Sequence, residues 1–182
     1  MLQLPPWPTW DSLHPLIIHF PIVLLLLSPF FIVIGATLPV RLSHPYRIVA
    51  LMILLLGTAS LFLAASTGEA AGEMADCGGP VDAVLQRHEE LASQARIVFA
   101  VLSAILLAIY FLPPMLRRQE GRTFTTVLPL VFLVPYAFGI LVLINTAHAG
   151  GRLVHEFGIH ALVPATSSPP GVVPGDPEQK GD

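Results

Sequence analysis

Charge and cysteine are both scarce in this sequence. Only 12% of the 182 residues are charged and 54% are hydrophobic, whereas soluble domains average about 25% charged residues. The single cysteine, Cys77, excludes an intrachain disulfide and any motif that needs paired cysteines. The mean hydropathy of +0.73 instead indicates an integral membrane protein.

Motifs of several enzyme classes are also missing. The sequence has no glycine-rich phosphate-binding loop, no Gly-x-Ser-x-Gly motif and no Glu-x-x-His pair. These absences argue against a nucleotide hydrolase, a serine hydrolase and a ferritin-like di-iron centre. The net charge of -3 argues against a nucleic-acid partner. We therefore expect an electron-transfer or binding subunit rather than a stand-alone catalyst.

Four long apolar runs dominate what is present. Each is close to the roughly 20 residues that a helix needs to cross the hydrocarbon of a bilayer. They predict an all-α integral membrane protein, a four-helix bundle whose helices 2, 3 and 4 extend beyond the outer membrane surface. Prolines within the first and fourth runs should kink the helices, because neighbouring helices can satisfy the carbonyls that proline leaves unpaired. The runs are residues 16–38, 48–65, 97–115 and 127–144.

The predicted transmembrane domain covers residues 13–161. Residues 1–12 are expected to form an interfacial segment anchored by Trp7 and Trp10, and residues 162–182 a disordered tail rich in proline and glycine. No Lys or Arg precedes the first run, which is about twice as long as the apolar part of a signal peptide. We therefore expect the first run to be retained as a helix.

Basic residues predict the orientation in the membrane. The two predicted connections at one end, residues 39–46 and 117–123, hold Arg41, Arg117, Arg118 and Arg122. Short loops rich in Lys and Arg stay in the cytoplasm. The prediction is a multi-pass protein of the bacterial cytoplasmic (inner) membrane with both termini extracytoplasmic.

Six of the seven histidines fall at the outer end of the predicted bundle, and only His44 lies in a cytoplasmic connection. An imidazole in hydrocarbon must find a partner or cost several kcal/mol, so these rings indicate a binding site. The six are His14, His19, His88, His148, His155 and His160. His160 lies beyond the last predicted turn and is expected to face solvent.

Helical spacing arranges these histidines by depth. His148 and His155 are seven residues apart and share a face, within roughly 20° and about 10 Å along the axis. His14 and His19 point about 140° apart unless Pro15 or an irregular first turn changes their aim. Antiparallel packing would match His14 with His155 and His19 with His148. His88 fits either an inward ligand or a solvated side chain in a polar stretch.

Haem b bound by two histidines from facing helices is the cofactor that best fits these residues. Imidazole nitrogens supply the axial ligands, and apolar helices supply the walls. His19 and His148 are the first-choice ligands. His14, His88 and His155 remain for a second or alternative site. A copper, zinc or iron ion is the alternative cofactor, held by His14, His88 and His155 with Glu69, Glu73 or Glu156.

Small and basic residues lie at the same end. Gly150 and Gly151 would make room for a planar ligand, since each costs about 1 kcal/mol in a helix relative to alanine. Gly68 is better explained by close helix packing. Arg96 and Arg152 would lie near the outer boundary, where arginine pairs with haem propionates, anionic lipid or glutamate.

Three motifs carry a resemblance to a known family. They are Leu13-His14-Pro15-Leu16-Ile17-Ile18-His19-Phe20-Pro21, Thr67-Gly68, and Gly150-Gly151-Arg152-Leu153-Val154 followed by Gly158-Ile159. Together they resemble the bacterial predicted membrane proteins of the domain-of-unknown-function 2231 family over residues 13–161. The resemblance implies a four-helix inner-membrane domain with haem-ligating histidines at one end.

The positions that carry over from this resemblance are His14, His19, His88, Gly150 and Gly151. The chain departs from the family pattern at His155, where an aromatic residue is usual, and at Phe157, where a histidine is frequent. Some relatives are fused to c-type cytochrome modules, which implies electron transfer.

The leading hypothesis is a b-type haem protein in the lipid bilayer that carries electrons at the extracytoplasmic face. Its partner would be a redox protein such as a c-type cytochrome. A transition-metal-binding membrane module and a cofactor-free structural subunit remain as alternatives. Transport ranks last, because the inner halves of the helices carry few ionisable residues.

Overall fold

The computed structural model describes residues 9–73, 78–115 and 121–159. This part of the chain is entirely helical, which confirms the predicted fold class. Its elements are a 3-10 turn at Asp11–Leu13, α1 (His14–Ile17), α2 (His19–Thr37), α3 (Val40–Glu73), α4 (Pro80–Met115), a π-helical turn at Thr123–Val127, and α5 (Leu128–His155).

Several predictions fall outside the described residues. They concern Trp7, Cys77, Arg117, Arg118, His160 and the tail at 162–182.

Four segments of the described chain are long and apolar enough to cross a membrane: His14–Thr37, Val40–Glu73, Pro80–Pro113 and Thr123–His155. They cover the four predicted runs except for Leu38 and for the last two residues of the third run, and they confirm the runs as helices. The second has 34 residues and is therefore about 50 Å long, more than the roughly 30 Å of hydrocarbon in a bilayer. The second, third and fourth spans, which are α3, α4 and α5, continue past their apolar runs. Their projection beyond a membrane surface stays a prediction.

The first connection is shorter than predicted. Residues 39–46 were expected to form a turn, but only Leu38 and Pro39 separate α2 from α3. Pro39 fits beside the first turn of a helix because an amide there needs no partner within the helix. Arg41 and His44 therefore lie on the first turns of α3, where both are exposed.

The spans pack as two antiparallel hairpins around a shared core. The first hairpin pairs α1 and α2 with α3, and the second pairs α4 with α5, while α3–α4 and α2–α5 contacts join the two. Large apolar side chains from all four spans meet along the centre, among them Leu25, Leu54, Phe99 and Tyr136. The outward faces expose more apolar side chains, such as Phe30, Met52 and Val134, as lipid contact requires.

Pro29 shows how the bundle accommodates proline within a span. Proline has no amide hydrogen, so the Leu25 carbonyl, four residues earlier, has no partner inside α2. The hydroxyl of Tyr136 on α5 donates a hydrogen bond to this carbonyl oxygen at 2.7 Å, and the tyrosine is only 1% exposed. The expectation that a neighbouring helix satisfies a carbonyl freed by proline is confirmed at this position.

We expect Tyr136→Phe to destabilise the fold by about 1 kcal/mol, because the Leu25 carbonyl then lacks a donor in apolar surroundings. The measurement is the midpoint of reversible unfolding in mixed detergent micelles. In a Pro29→Ala background, residue 29 regains an amide hydrogen for the same carbonyl, so Tyr136→Phe should cost clearly less there.

Tyr110→Phe is the matched control. The Tyr110 hydroxyl is buried and has no hydrogen-bond partner in the described structure, so its removal should not lower the midpoint. Equal losses for the two tyrosine variants, or an unchanged loss in the Pro29→Ala background, would contradict the role assigned to Tyr136.

Candidate functional site

Five of the described histidines lie at one end of the bundle. We call it the histidine end; it is the end at which α1 and α4 begin and α3 and α5 finish. His14 and His88 are partly buried there, whereas three others are exposed: His19, His148 and His155. Burial therefore separates two of these histidines from the rest.

His14, the first residue of α1, reaches across to α3. Its Nδ1 lies 2.9 Å from the carbonyl oxygen of Ala64 and 3.2 Å from the hydroxyl oxygen of Thr67. A carbonyl only accepts hydrogen bonds, so Nδ1 carries the hydrogen and donates it. The lone pair of the neutral ring is then on Nε2.

Two prolines explain why His14 can reach α3 in this way. Pro15 occupies an early helical position, where it fixes the backbone dihedral without losing a hydrogen bond. Pro21 cannot donate to the Ile17 carbonyl, and the helix is interrupted at Ile18 between α1 and α2. The irregular first turn considered in the sequence analysis is therefore present.

His88 on α4 is held by α5 through the same kind of bond. Its Nδ1 lies 3.0 Å from the carbonyl oxygen of Thr146. This nitrogen also donates, which leaves the Nε2 lone pair of His88 available. Each hairpin thus contributes one histidine whose tautomer is fixed by a carbonyl of the facing helix.

A glycine lies against each of these two rings, Gly68 against His14 and Gly150 against His88. Each glycine follows, by four positions, the residue whose carbonyl accepts the hydrogen bond from the ring. A Cβ on Gly68 would lie 2.8 Å from His14 Cε1, and a Cβ on Gly150 would lie 3.0 Å from His88 Cε1. These glycines therefore make room for an imidazole, whereas the sequence analysis assigned Gly150 to a planar ligand. A Cβ on Gly151 would meet no atom of the described chain within 4 Å.

The two held rings both lie at the histidine end, one on each hairpin. In the described structure neither Nε2 receives a hydrogen bond, so two lone pairs are available at the same end of the bundle. Histidines that ligate a metal usually donate their other ring N–H to a carbonyl or carboxylate, which orients the ring and raises its basicity. His14 and His88 already have this outer support.

The role of His19 and His148 as first-choice ligands stays a prediction. Both are exposed, and neither has a hydrogen-bond partner among the residues described. His19 follows His14 by five residues, so the two rings leave the chain in different directions, about 140° apart on a regular helix. The structure instead partly buries His14 and His88 at this end of the bundle, and the spacing argument had left the role of His88 open. His155, the predicted partner of His14, is exposed at the end of α5.

The arginines at this end are paired with glutamates. Arg96 lies 3.1 Å from Glu69, and Arg152 lies 2.8 Å from Glu156. The hydrogen bonds from Arg152 lower the pKa of the exposed Glu156 carboxyl, and the charge that His148 can carry adds to this effect. Of the partners considered for these arginines, glutamate is the one observed.

The alternative ion site is not formed in the described part of the chain. No group of three or more His, Cys, Asp or Glu residues there is placed to hold a metal ion. The predicted set of His14, His88 and His155 with Glu69, Glu73 or Glu156 is not gathered among the described residues, and the ion alternative stays a prediction. His155 is exposed, and two of the glutamates bind arginines instead.

The sequence analysis missed the backbone carbonyls of Ala64 and Thr146. The sequence contains one weak indication of them. Ala64 and Thr146 each precede a glycine by four positions, near the end of the second long helix of a hairpin. The first helix of each hairpin supplies the histidine.

Comparison with known proteins gives a family. No curated protein and no solved structure matches the chain. The family described as "Predicted membrane protein (DUF2231)" matches residues 11–162, which is most of the chain and agrees with the resemblance carried by the motifs around His14 and Gly150. The chain belongs to the DUF2231 family of predicted membrane proteins.

Proposed function

We propose that this protein binds haem b between His14 and His88 and carries electrons in the cytoplasmic membrane. The observation that supports the proposal is the matched pair of Nδ1–carbonyl hydrogen bonds. It leaves two Nε2 lone pairs, from two different hairpins, at the same end of the bundle. Two imidazoles supplied from two different helices of a bundle can serve as the axial ligands of a b-type haem.

The number of ligands favours haem over a bare ion. A porphyrin brings four nitrogen ligands of its own and requires only the two axial positions from the protein. A zinc ion in a protein site takes about four ligands, most of them from side chains. His14 and His88 meet the first requirement without further residues.

In this proposal the protein tunes the haem and performs no bond-making chemistry. Axial imidazoles, their hydrogen bonds to Ala64 and Thr146, and partial burial would set the reduction potential. A haem at the histidine end lies near the surface of the bundle, where a soluble redox protein such as a c-type cytochrome can approach.

The orientation supports an extracytoplasmic partner. Arg41 and Arg122 are exposed at the end opposite the histidines, and the positive-inside rule favours a cytoplasmic location for that end. The histidine end then faces outward, as electron delivery to a c-type cytochrome requires.

We expect protein purified from haem-replete cells to show the reduced-minus-oxidised spectrum of a bis-histidine haem b. His14→Ala and His88→Ala should each abolish it by removing one axial ligand, and millimolar imidazole should restore part of it to a folded variant. His19→Ala and His155→Ala are matched controls, because both rings are exposed, and they should retain the spectrum.

A colourless but folded wild-type protein would contradict the proposal. Loss of the haem spectrum in His19→Ala, with the spectrum retained in both His14→Ala and His88→Ala, would also contradict it. A folded, colourless protein would leave the two histidines as structural ties between helices.

The glycines provide a second test of the same geometry. Gly68→Ala and Gly150→Ala place a Cβ against a ligand ring, so each should lower haem retention by about 10-fold or more, the usual effect of disturbing the outer support of a ligand. The measurement is the haem-to-protein ratio after washing in detergent.

Gly151→Ala is the matched control, because its Cβ would meet nothing within 4 Å in the described structure. Alanine is favoured over glycine in a helix by about 1 kcal/mol, so a loss at Gly150 cannot come from helix propensity. Equal haem retention in all three variants would show that the rings are not confined as described.

A further inference from the structure

A groove between α4 and α5 lies beside His88 on the outside of the bundle. Its volume is about 370 Å³. Its floor is apolar and includes Val84, Leu91 and Ala149, and its polar rim includes Asn145, His148 and Arg152. An apolar floor with a few polar groups at one edge is typical of a site for a small amphipathic molecule.

Two groups of the rim are free to accept hydrogen bonds. The side-chain nitrogen of Asn145 donates to the Leu141 carbonyl at 2.7 Å, which leaves its Oδ1 as an acceptor. The His148 ring is exposed and makes no hydrogen bond within the described chain, so its unprotonated nitrogen is a second acceptor. A ligand with hydroxyl donors would satisfy both.

The charges of the rim favour an uncharged ligand. Arg87 lies 3.5 Å from Glu90, and Arg152 lies 2.8 Å from Glu156. Each arginine is thus accompanied by a carboxylate on its own helix. A phospholipid phosphate would have to compete with these carboxylates, whereas a neutral diol would not.

The groove is also next to the held imidazole of His88. On α4, Val84 lies four residues before His88 and Leu91 three residues after it. On α5, Ala149 precedes Gly150, the glycine that lies against the His88 ring. The groove is therefore lined by residues that neighbour His88 on α4 and Gly150 on α5.

We propose that this groove binds the head group of a membrane quinol through His148 and Asn145. The role of the bound quinol rests on the proposed haem function: it is the electron donor. Oxidation breaks two O–H bonds and converts the ring diol into a quinone, releasing two electrons and two protons. The first proton passes to His148 and then to water, and the second passes to water. A haem held by His14 and His88 would accept these electrons one at a time, and an oxidised one-electron protein acceptor would remove each.

The first test is calorimetric binding of a short-tailed ubiquinol analogue to the full chain in lipid nanodiscs. Saturable binding is expected. His148→Ala and Asn145→Leu should each weaken it by about 10-fold, the usual effect of losing one hydrogen bond. His155→Ala is the matched control on the same helix and should bind like the wild type. No binding, or equal binding by all variants, overturns the proposal.

Arg152→Gln separates a quinol from an anionic lipid. If only this variant lost binding, the groove would recognise charge, and the quinol assignment would be overturned. In the second test, reduction of the haem by the same quinol is followed in stopped flow. His148→Ala should slow it by about 10-fold with an unchanged haem spectrum. Equal rates in His148→Ala and His155→Ala would overturn the donor role.

Because calorimetry needs no haem, the two proposals can fail separately. A colourless protein that still binds the quinol through His148 would reject the haem and retain the groove. A haem-containing protein that binds no quinol would reject the groove and retain the haem.

Discussion

The hydrogen bonds from His14 to the Ala64 carbonyl and from His88 to the Thr146 carbonyl are the constraint on which the candidate site depends. Each fixes the tautomer and direction of a ring that would otherwise be costly to bury beside apolar helices. Each also joins the two spans of one hairpin, α1 with α3 and α4 with α5. The glycine that follows each carbonyl by four residues lets the ring approach the helix. Helix packing and the direction of the two rings are therefore set by the same contacts.

Most of the fold followed from the sequence, because membrane helices obey simple physical rules. A backbone in hydrocarbon must satisfy its own hydrogen bonds, so four apolar runs of sufficient length predict four helices. The same rule predicts that proline within a span leaves a carbonyl unpaired and that another helix satisfies it. It does not predict the donor, which is Tyr136 for the Leu25 carbonyl. The short Leu38–Pro39 connection was missed because a basic, proline-containing stretch was interpreted as a turn. Proline is tolerated at and near the start of a helix, and this stretch is the start of α3.

The site was predicted in location more than in detail. The clustering of histidines at one end followed from their positions on the four runs, but their aim did not. His19 and His148 were preferred for depth, and the structure exposes both. The interruption at Ile18 and the carbonyl partners of His14 and His88 depend on how two helices pack, which helical periodicity alone does not specify. The correspondence between the hairpins left only a weak signal in the sequence, because it consists of one histidine, one backbone carbonyl and one glycine in each, and the carbonyl is not tied to a residue type.

The proposed ligands of the haem iron are the Nε2 atoms of His14 and His88. Electron paramagnetic resonance of the oxidised, full-length protein distinguishes this pair from other ligand sets. We expect a low-spin ferric signal typical of two imidazole ligands, replaced by a high-spin signal or lost together with the haem in His88→Ala. A high-spin signal in the wild type, or a low-spin signal unchanged in His14→Ala and His88→Ala, would contradict it.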